Sequence, residues 1–163
     1  MIHKKYPFVK QRDDKGCGVA CLSMLIQYYH GYIGEDILYD MTSTNKRGTS
    51  AYHLVEVAKT IGMDSKGIKC NIEYMKECTL PCIAHVLIEG KYGHYIVIYK
   101  IDWKKKQMYI ADPAKGKQRI SIQEFEKIFT GVIILLIPKK PLPLYTNHIT
   151  LTNHCFLFIR KNG

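Results

Sequence analysis

The spacing of apolar residues changes near the middle of the chain, and this change is what most constrains the fold. Three segments of the first half repeat apolar residues at three- and four-residue steps, as helices do: Cys17 to about His30, Glu35 to Met41, and a segment capped by Thr49 or Ser50 that ends at Gly62. Four segments of the second half are rich in β-branched and aromatic residues, as strands are: Ile83 to Ile88, Tyr95 to Ile101, Gln107 to Ala111 and Val132 to Ile137. Helices followed by a meandering antiparallel sheet predict an α+β fold.

The end of the predicted sheet sets the expected domain boundary. Ser121 to Glu124 form a capping-box pattern, which predicts a short helix between the last two strands. The strand at 132–137 is apolar throughout and is therefore expected to be central. Prolines at 138, 141 and 143 then end regular structure. We expect one domain over residues 1–138, and we interpret residues 139–163 as a linker or a truncated continuation.

Composition narrows the class of protein. The 163 residues suit a single domain, and no run of 18 apolar residues is present that would cross a membrane. The N-terminus lacks the apolar stretch of a secretory signal, so a cytoplasmic location is expected, and the six cysteines are expected to be thiols. The net charge of +10 predicts a basic surface. Such a surface is either simply exposed to solvent, or it binds an acidic peptide or the anionic face of a membrane. No nucleic-acid partner is expected, because no helix carries a basic stripe.

Cys17 stands at the predicted start of the first helix. Free backbone N–H groups and the helix dipole at such a position favour a thiolate, which is the nucleophilic form. Gly16 and Gly18 flank the cysteine and would let a substrate backbone approach closely. The alternative is that Cys17 is a small helix-start residue, or that it and Cys21 are buried thiols on one helix face. Cys21 fits that alternative well.

Two downstream residues favour the catalytic reading of Cys17. His94 stands at the start of a hydrophobic strand, and Asp112 stands at the end of the next one. A hairpin that pairs the two directly would have its midpoint at residue 103, inside the predicted turn. Directly opposed residues share a face, so the carboxylate would orient the imidazole. Gln11, in the turn before the helix, is a candidate oxyanion donor together with the backbone N–H of Cys17.

These residues carry a family resemblance. The string QRDDKGCGVACLSM at residues 11–24 resembles the nucleophile motif of bacteriocin-processing peptidases, the N-terminal peptidase domains of peptidase-containing ABC transporters. Gly93-His94-Tyr95 and Asp112-Pro113, followed by Gly116, are similar to that family's histidine and aspartate motifs. The resemblance covers roughly residues 5–138. One departure is Gly16, where the family commonly has an acidic residue.

The resemblance implies a papain-like cysteine protease that removes leader peptides after a double-glycine-type motif. Carried over by position, Cys17 is the nucleophile, His94 the general base, Asp112 the orienting acid and Gln11 the oxyanion donor. No cofactor and no metal are implied. The implied partners are a precursor peptide with an amphipathic helical leader and the membrane and ATP-binding domains of an ABC transporter. The chain would then act at the cytoplasmic face of the membrane, with residues 139–163 leading toward a membrane domain.

Two other classes of function remain as alternatives. A non-catalytic domain that only docks cargo for an exporter is disfavoured by the presence of Cys17. A metal or redox thiol protein is suggested by the loosely zinc-like spacing of Cys78, Cys82 and His85. That segment offers three ligands and no convincing fourth, and it overlaps a predicted strand.

Overall fold

A computed structural model describes residues 6–145 of the chain. Its α-helices are α1 (Cys17–Tyr28), α2 (Glu35–Met41), α3 (Ala51–Thr60) and α4 (Ile122–Ile128), with a 3-10 helix at Glu73–Glu77. Its strands are β1 (Tyr32–Ile33), β2 (Met63–Lys69), β3 (Cys82–Ile88), β4 (Tyr92–Asp102), β5 (Gln107–Asp112), β6 (Gly116–Ser121), β7 (Phe129–Pro138) and β8 (Leu144–Tyr145). Within residues 6–145, no helix is both long enough and apolar enough to cross a membrane.

Six strands form one antiparallel sheet, in the order β2-β7-β3-β4-β5-β6. Strands β3 to β6 meander, each beside the one before it, and the chain then returns so that β7 pairs with β3. Strand β7 lies between β2 and β3, which confirms the inner position predicted from its apolar sequence. The α+β expectation is also confirmed.

Helix α1 lies against β4 on one face of the sheet. Every residue of α1 except Gln27 is buried, which is why the helix is apolar nearly all round. A second cluster of buried side chains covers the opposite face, beneath Phe125 of α4. Ser121 and Glu124 form the predicted capping box at the start of α4. Because α1 is buried against β4, the end of the helix that carries Cys17 is fixed against the sheet.

Two strands of the six-stranded sheet were missed by the sequence analysis, as were the two-residue strands β1 and β8. Strand β2, with the sequence MDSKGIK, forms one edge of the sheet, and β6, with the sequence GKQRIS, forms the other. Edge strands have fewer neighbours to cover them, so both are largely polar and lack an apolar pattern. Helix α1 also ends at Tyr28, before the expected His30.

The predicted register of the β4–β5 hairpin is wrong. Val97 pairs with Ala111 and Asp102 with Gln107, and the register shifts between them because β4 carries one extra residue. Continuing the Val97 register places Asp112 opposite position 96, two residues from His94. Diagonal cross-strand neighbours still reach each other, so the two side chains meet despite the shift.

Residues 139–145 pack on the body of the domain. Leu142 is buried in the main core cluster, and β8 pairs in parallel with β1. A Cβ added to Gly31 would lie 2.7 Å from the Leu142 Cβ, which shows how closely this segment approaches the end of α1. Residues 146–163 of the predicted linker, including Cys155, lie outside the described residues. The division of the chain at residue 138 stays a prediction.

Candidate active site

Cys17 is the first residue of α1, as the sequence predicted, and only 7% of it is exposed. Gly16 is the N-cap, and no side chain caps the helix. The N–H groups of the first turn are therefore left without a side-chain acceptor, in a position to stabilise negative charge. One turn further on, Cys21 is completely buried, and burial, followed by the nearby Cys17, raises the pKa of its thiol well above the usual range. Cys21 is a core residue, as expected.

His94 and Asp112 form a buried pair on neighbouring strands. The imidazole Nε2 lies 2.8 Å from Asp112 Oδ1, and the same oxygen accepts a hydrogen bond from the backbone N–H of Ala114 at 2.8 Å. Cys17 lies close enough to the His94 side chain to contribute to the raised pKa of the imidazole. Because Asp112 lies at Nε2, the ring nitrogen left for the thiol is Nδ1. Cys17 on α1, His94 on β4 and Asp112 on β5 are thus neighbours in that order.

This arrangement favours the charged form of the imidazole. Burial lowers the pKa of His94, but the interactions with Asp112 and Cys17 outweigh it and raise the pKa to about 9. Burial raises the pKa of Asp112, but hydrogen bonds from His94 and from the Ala114 N–H bring it below its ordinary value. At neutral pH the pair is an imidazolium and a carboxylate. The arrangement is suited to hold a proton beside a thiolate and to release it.

Gln11 lies in the loop before α1, and its backbone ties that loop to the sheet. Its N–H donates to the carbonyl of Pro113 at 3.0 Å, next to Asp112 in sequence. Its side-chain Oε1 is buried without a hydrogen-bond partner among the described residues. All four residues predicted for the site thus belong to segments that converge where α1, β4 and β5 meet.

Sequence reasoning missed the aromatic surroundings of the site. Tyr95, the residue after His94, packs against Gly18, where an added Cβ would lie 3.4 Å from the tyrosine ring. Its ring also meets that of His85 at a centroid distance of 5.2 Å. Tyr39 of α2 contacts Gly16 from the other side. The adjacency of Tyr95 to His94 was visible in the sequence, but the 23-residue separation of Tyr39 from Gly16 gave no local signal.

The residues of the zinc alternative make other contacts. His85 Nδ1 lies 2.9 Å from Thr130 Oγ1, and Cys82 is buried in the sheet. In the part of the chain that the structure describes, no group of three or more His, Cys, Asp or Glu side chains is arranged to hold a metal ion. The five described cysteines are free thiols.

Known proteins resemble this chain in sequence and in fold. The model of the Peptidase C39 family matches residues 5–141. The lactococcin-G-processing and transport ATP-binding protein LagD of Lactococcus lactis subsp. lactis is 41% identical over 133 residues, which are 80% of this chain and 19% of that protein. The transport/processing ATP-binding protein ComA of Streptococcus pneumoniae is 36% identical over 153 residues, covering 91% of this chain and 21% of its own. The chain spans about a fifth of the length of these relatives.

Solved structures agree. The peptidase domain of Streptococcus ComA superposes with a TM-score of 0.77 at 32% identity, covering 83% of this chain and all of its own. A double glycine motif protease from an AMS/PCAT transporter, in complex with its leader peptide, gives a TM-score of 0.76 at 29% identity, covering 83% and 94%. The fold and these relatives define a papain-like cysteine peptidase domain. The chain belongs to the Peptidase C39 family.

Proposed function

We propose that this chain is the peptidase of a peptide exporter and that it cleaves leader peptides after a double-glycine-type motif. In this proposal Cys17 is the nucleophile, His94 the general base, Asp112 the orienting acid and Gln11 an oxyanion donor. The observation that carries the proposal is the buried His94–Asp112 pair, 2.8 Å apart, with Cys17 beside His94 at the start of a buried helix. A cysteine peptidase needs this combination of nucleophile, base and orienter.

The chemistry follows from this arrangement. The Cys17 thiolate attacks the scissile carbonyl while His94 holds the thiol proton. Backbone N–H groups at the start of α1 and the Gln11 amide donate hydrogen bonds to the developing oxyanion. His94 passes its proton to the leaving amine, and an acyl-enzyme on Cys17 remains. His94 then takes a proton from water, which hydrolyses the thioester, and Asp112 keeps the ring oriented throughout.

Limited access to the nucleophile supports a substrate with small residues at the cut. Cys17 is only 7% exposed, and Gly18 beside it is closely packed by Thr49, Leu54 and Tyr95. An extended backbone that carries two glycines fits such an approach, whereas bulky side chains do not. The leader peptide bound to the structural relative is consistent with a substrate of this kind.

A narrow approach provides little binding energy, so we infer that affinity comes from the leader upstream of the cut. We propose that the leader binds as an amphipathic helix with its apolar face in a surface groove. The net charge of +10 adds attraction to acidic leader residues, and this attraction weakens as salt rises.

A peptide series tests the substrate proposal. Full leaders ending in Gly-Gly are incubated with the protein, and products are identified by mass spectrometry. Replacing either glycine by Leu or Val is expected to stop cleavage, whereas Ala or Ser is partly tolerated at the second position. Trimming the leader to its last few residues is expected to raise KM by orders of magnitude. Binding of a full leader without any cleavage would instead support the cargo-docking alternative.

The transporter partners are part of the proposal. The relatives are transport ATP-binding proteins about five times longer than the matched region. We propose that the domain works beside the membrane and ATP-binding domains of an ABC transporter, at the cytoplasmic face, with residues 139–163 leading toward the membrane domain. Co-purification of the peptidase with those domains, and its loss when residues 146–163 are replaced by a Gly-Ser linker, checks this arrangement.

A further inference from the structure

Gly16, the residue before the proposed nucleophile, has no room for a side chain. A Cβ built on Gly16 would lie deep inside the van der Waals contact distance of the Tyr39 hydroxyl and 3.3 Å from its Cζ. The Gly16 backbone has φ −86° and ψ 0°, a conformation that residues other than glycine adopt. The space that Tyr39 occupies, and not the backbone conformation, is therefore what favours glycine here.

Tyr39 is itself held firmly against this loop. The guanidinium of Arg12 stacks over the tyrosine ring, 5.0 Å from its centroid. Arg12 also contacts two carboxylates on the helix that carries Tyr39, Asp36 at 2.6 Å and Glu35 at 3.3 Å. Arg12 follows Gln11 directly in sequence. The loop with the proposed oxyanion donor and the cap of the nucleophile helix are thus joined to α2 through one aromatic side chain.

The contact of Tyr39 with Gly16 is steric. The buried Tyr39 hydroxyl oxygen has no hydrogen-bond partner among the described residues. Burial, followed by the nearby Asp13, raises the pKa of Tyr39, so the phenol is neutral at neutral pH. Toward the described residues, the hydroxyl therefore fills space at the end of α1.

We infer that Tyr39 is a positioning residue for the nucleophile, which acts through Gly16 by holding the cap of α1, and hence Cys17, at the distance that His94 requires. The inference rests on the proposed role of Cys17. Positioning of this kind affects turnover because a reacting atom displaced by a fraction of an ångström loses its line of attack. Tyr39 and Gly16 are then a matched pair, in which a larger residue at one position requires a smaller one at the other.

A double-substitution cycle tests the pair. Gly16→Ala introduces the clash and is expected to lower kcat by about tenfold or more, with KM little changed. Tyr39→Phe removes only the hydroxyl and is expected to stay within about threefold of the wild type. Gly16→Ala combined with Tyr39→Phe places the new methyl beside the ring carbon, at a tight but tolerable distance, and is expected to recover most of the lost turnover. Tyr39→Ala removes the wedge and is expected to lower kcat again.

Matched controls separate positioning from general damage. Gly67→Ala adds a methyl whose nearest neighbour lies 3.9 Å away, and Tyr52→Phe removes the hydroxyl of a tyrosine that is 69% exposed. Both are expected to behave as wild type. Thermal unfolding is recorded for every variant, and the rate of Cys17 alkylation by iodoacetamide gives a readout that needs no leader peptide. The inference is overturned if Gly16→Ala matches Gly67→Ala, or if the double variant is no better than Gly16→Ala. A Cys17→Ala variant that kept its turnover would refute the proposed nucleophile instead.

Discussion

The two sides of the site are held in place by different means. His94 and Asp112 lie on neighbouring strands whose positions are fixed by the backbone hydrogen bonds of the sheet and by a buried ion pair at 2.8 Å. Cys17 and Gln11 lie at the end of a helix and in the loop before it. That loop is fixed by a few contacts: the Gln11 N–H to Pro113, a turn at Asp13, and the Arg12 and Tyr39 cluster. Many backbone hydrogen bonds therefore fix the positions of the strand residues, whereas the position of the loop depends on a few individual contacts.

Removal of a reacting group is expected to abolish turnover on either side, because this loss does not depend on how the group is held in place. Cys17→Ala is expected to abolish cleavage, and His94→Ala to be nearly as severe, because each takes part in formation of the acyl-enzyme. Turnover of a full leader peptide measures both effects, and circular dichroism checks that the fold is kept. Cys21→Ala is the matched control, one turn along the same helix. It is expected to keep its turnover and to lose about 1 kcal/mol of stability. Wild-type turnover in Cys17→Ala would rule out the mechanism.

On the strand side, Asp112→Asn sharpens the comparison through pH. The substitution keeps the shape of the side chain but removes one of the interactions that raise the pKa of His94. We expect turnover to fall by less than in His94→Ala, because the base remains. The alkaline limb of kcat/KM, expected near the His94 pKa of about 9, is expected to move to lower pH in the variant. An unmoved alkaline limb would show that Asp112 does not set the ionisation of His94.

The same pair makes stability depend on pH in a definite direction. The pKa of His94 is raised on folding, so its contribution is complete below its ordinary value of 6.5 and is lost as pH rises through about 9. The pKa of Asp112 is lowered, so its contribution is present above 3.8 and is lost as pH falls further. The melting temperature of the wild type is expected to exceed that of Asp112→Asn most clearly between these limits. Asp112 on β5 and Cys17 on α1 are the titratable groups that raise the pKa of His94, and His94, after burial, lowers the pKa of His85 on β3.

On the loop side, Gln11→Ala is expected to lower turnover by roughly 100- to 1000-fold, as removal of one oxyanion donor does. KM is expected to change little, because the donor acts on charge that develops only in the transition state. Steady-state kinetics on a full leader peptide make the measurement. Gln27→Ala, a partly buried glutamine of α1 whose amide contacts Ser23, is the control. A turnover number in Gln11→Ala equal to that of the control would remove Gln11 from the site.

How much the sequence revealed also differs between the two sides. Helix α2 and the capping box of α4 were predicted because helical spacing and caps are local patterns. The meeting of His94 and Asp112 was predicted from strand ends, although the register was wrong because no local signal marks the extra residue in β4. The contact between Tyr39 and Gly16 was not predicted, since a single pair distant in sequence leaves no periodic trace. The polar edge strands escaped for a related reason, because a strand without a buried face has no alternation to read.

The smallest predicted effects separate the two sides most clearly. Arg12→Ala removes exposed ion pairs with Asp36 and Glu35 and the stacking on Tyr39, whereas Ser121→Ala removes the cap of α4 on the far side of the sheet. Loss of the Ser121 cap is expected to cost about 1 kcal/mol of stability and to leave turnover unchanged. Exposed ion pairs contribute little to stability because solvent screens them, so Arg12→Ala is expected to unfold at nearly the wild-type temperature.

The turnover of Arg12→Ala is nevertheless expected to fall by roughly two- to tenfold, because the loop that carries Gln11 and precedes Cys17 loses its side-chain contacts with α2. Thermal unfolding and leader cleavage are measured on both variants. Ser121→Ala is expected to lose stability but not turnover, and Arg12→Ala to lose turnover but not stability. Arg12→Lys keeps the charge but not the planar guanidinium that stacks on the ring, so it is expected to lie between Arg12→Ala and the wild type. If turnover in Arg12→Ala equals that of Ser121→Ala, the loop is held by its backbone contacts alone. The two sides of the site would then be equally well determined.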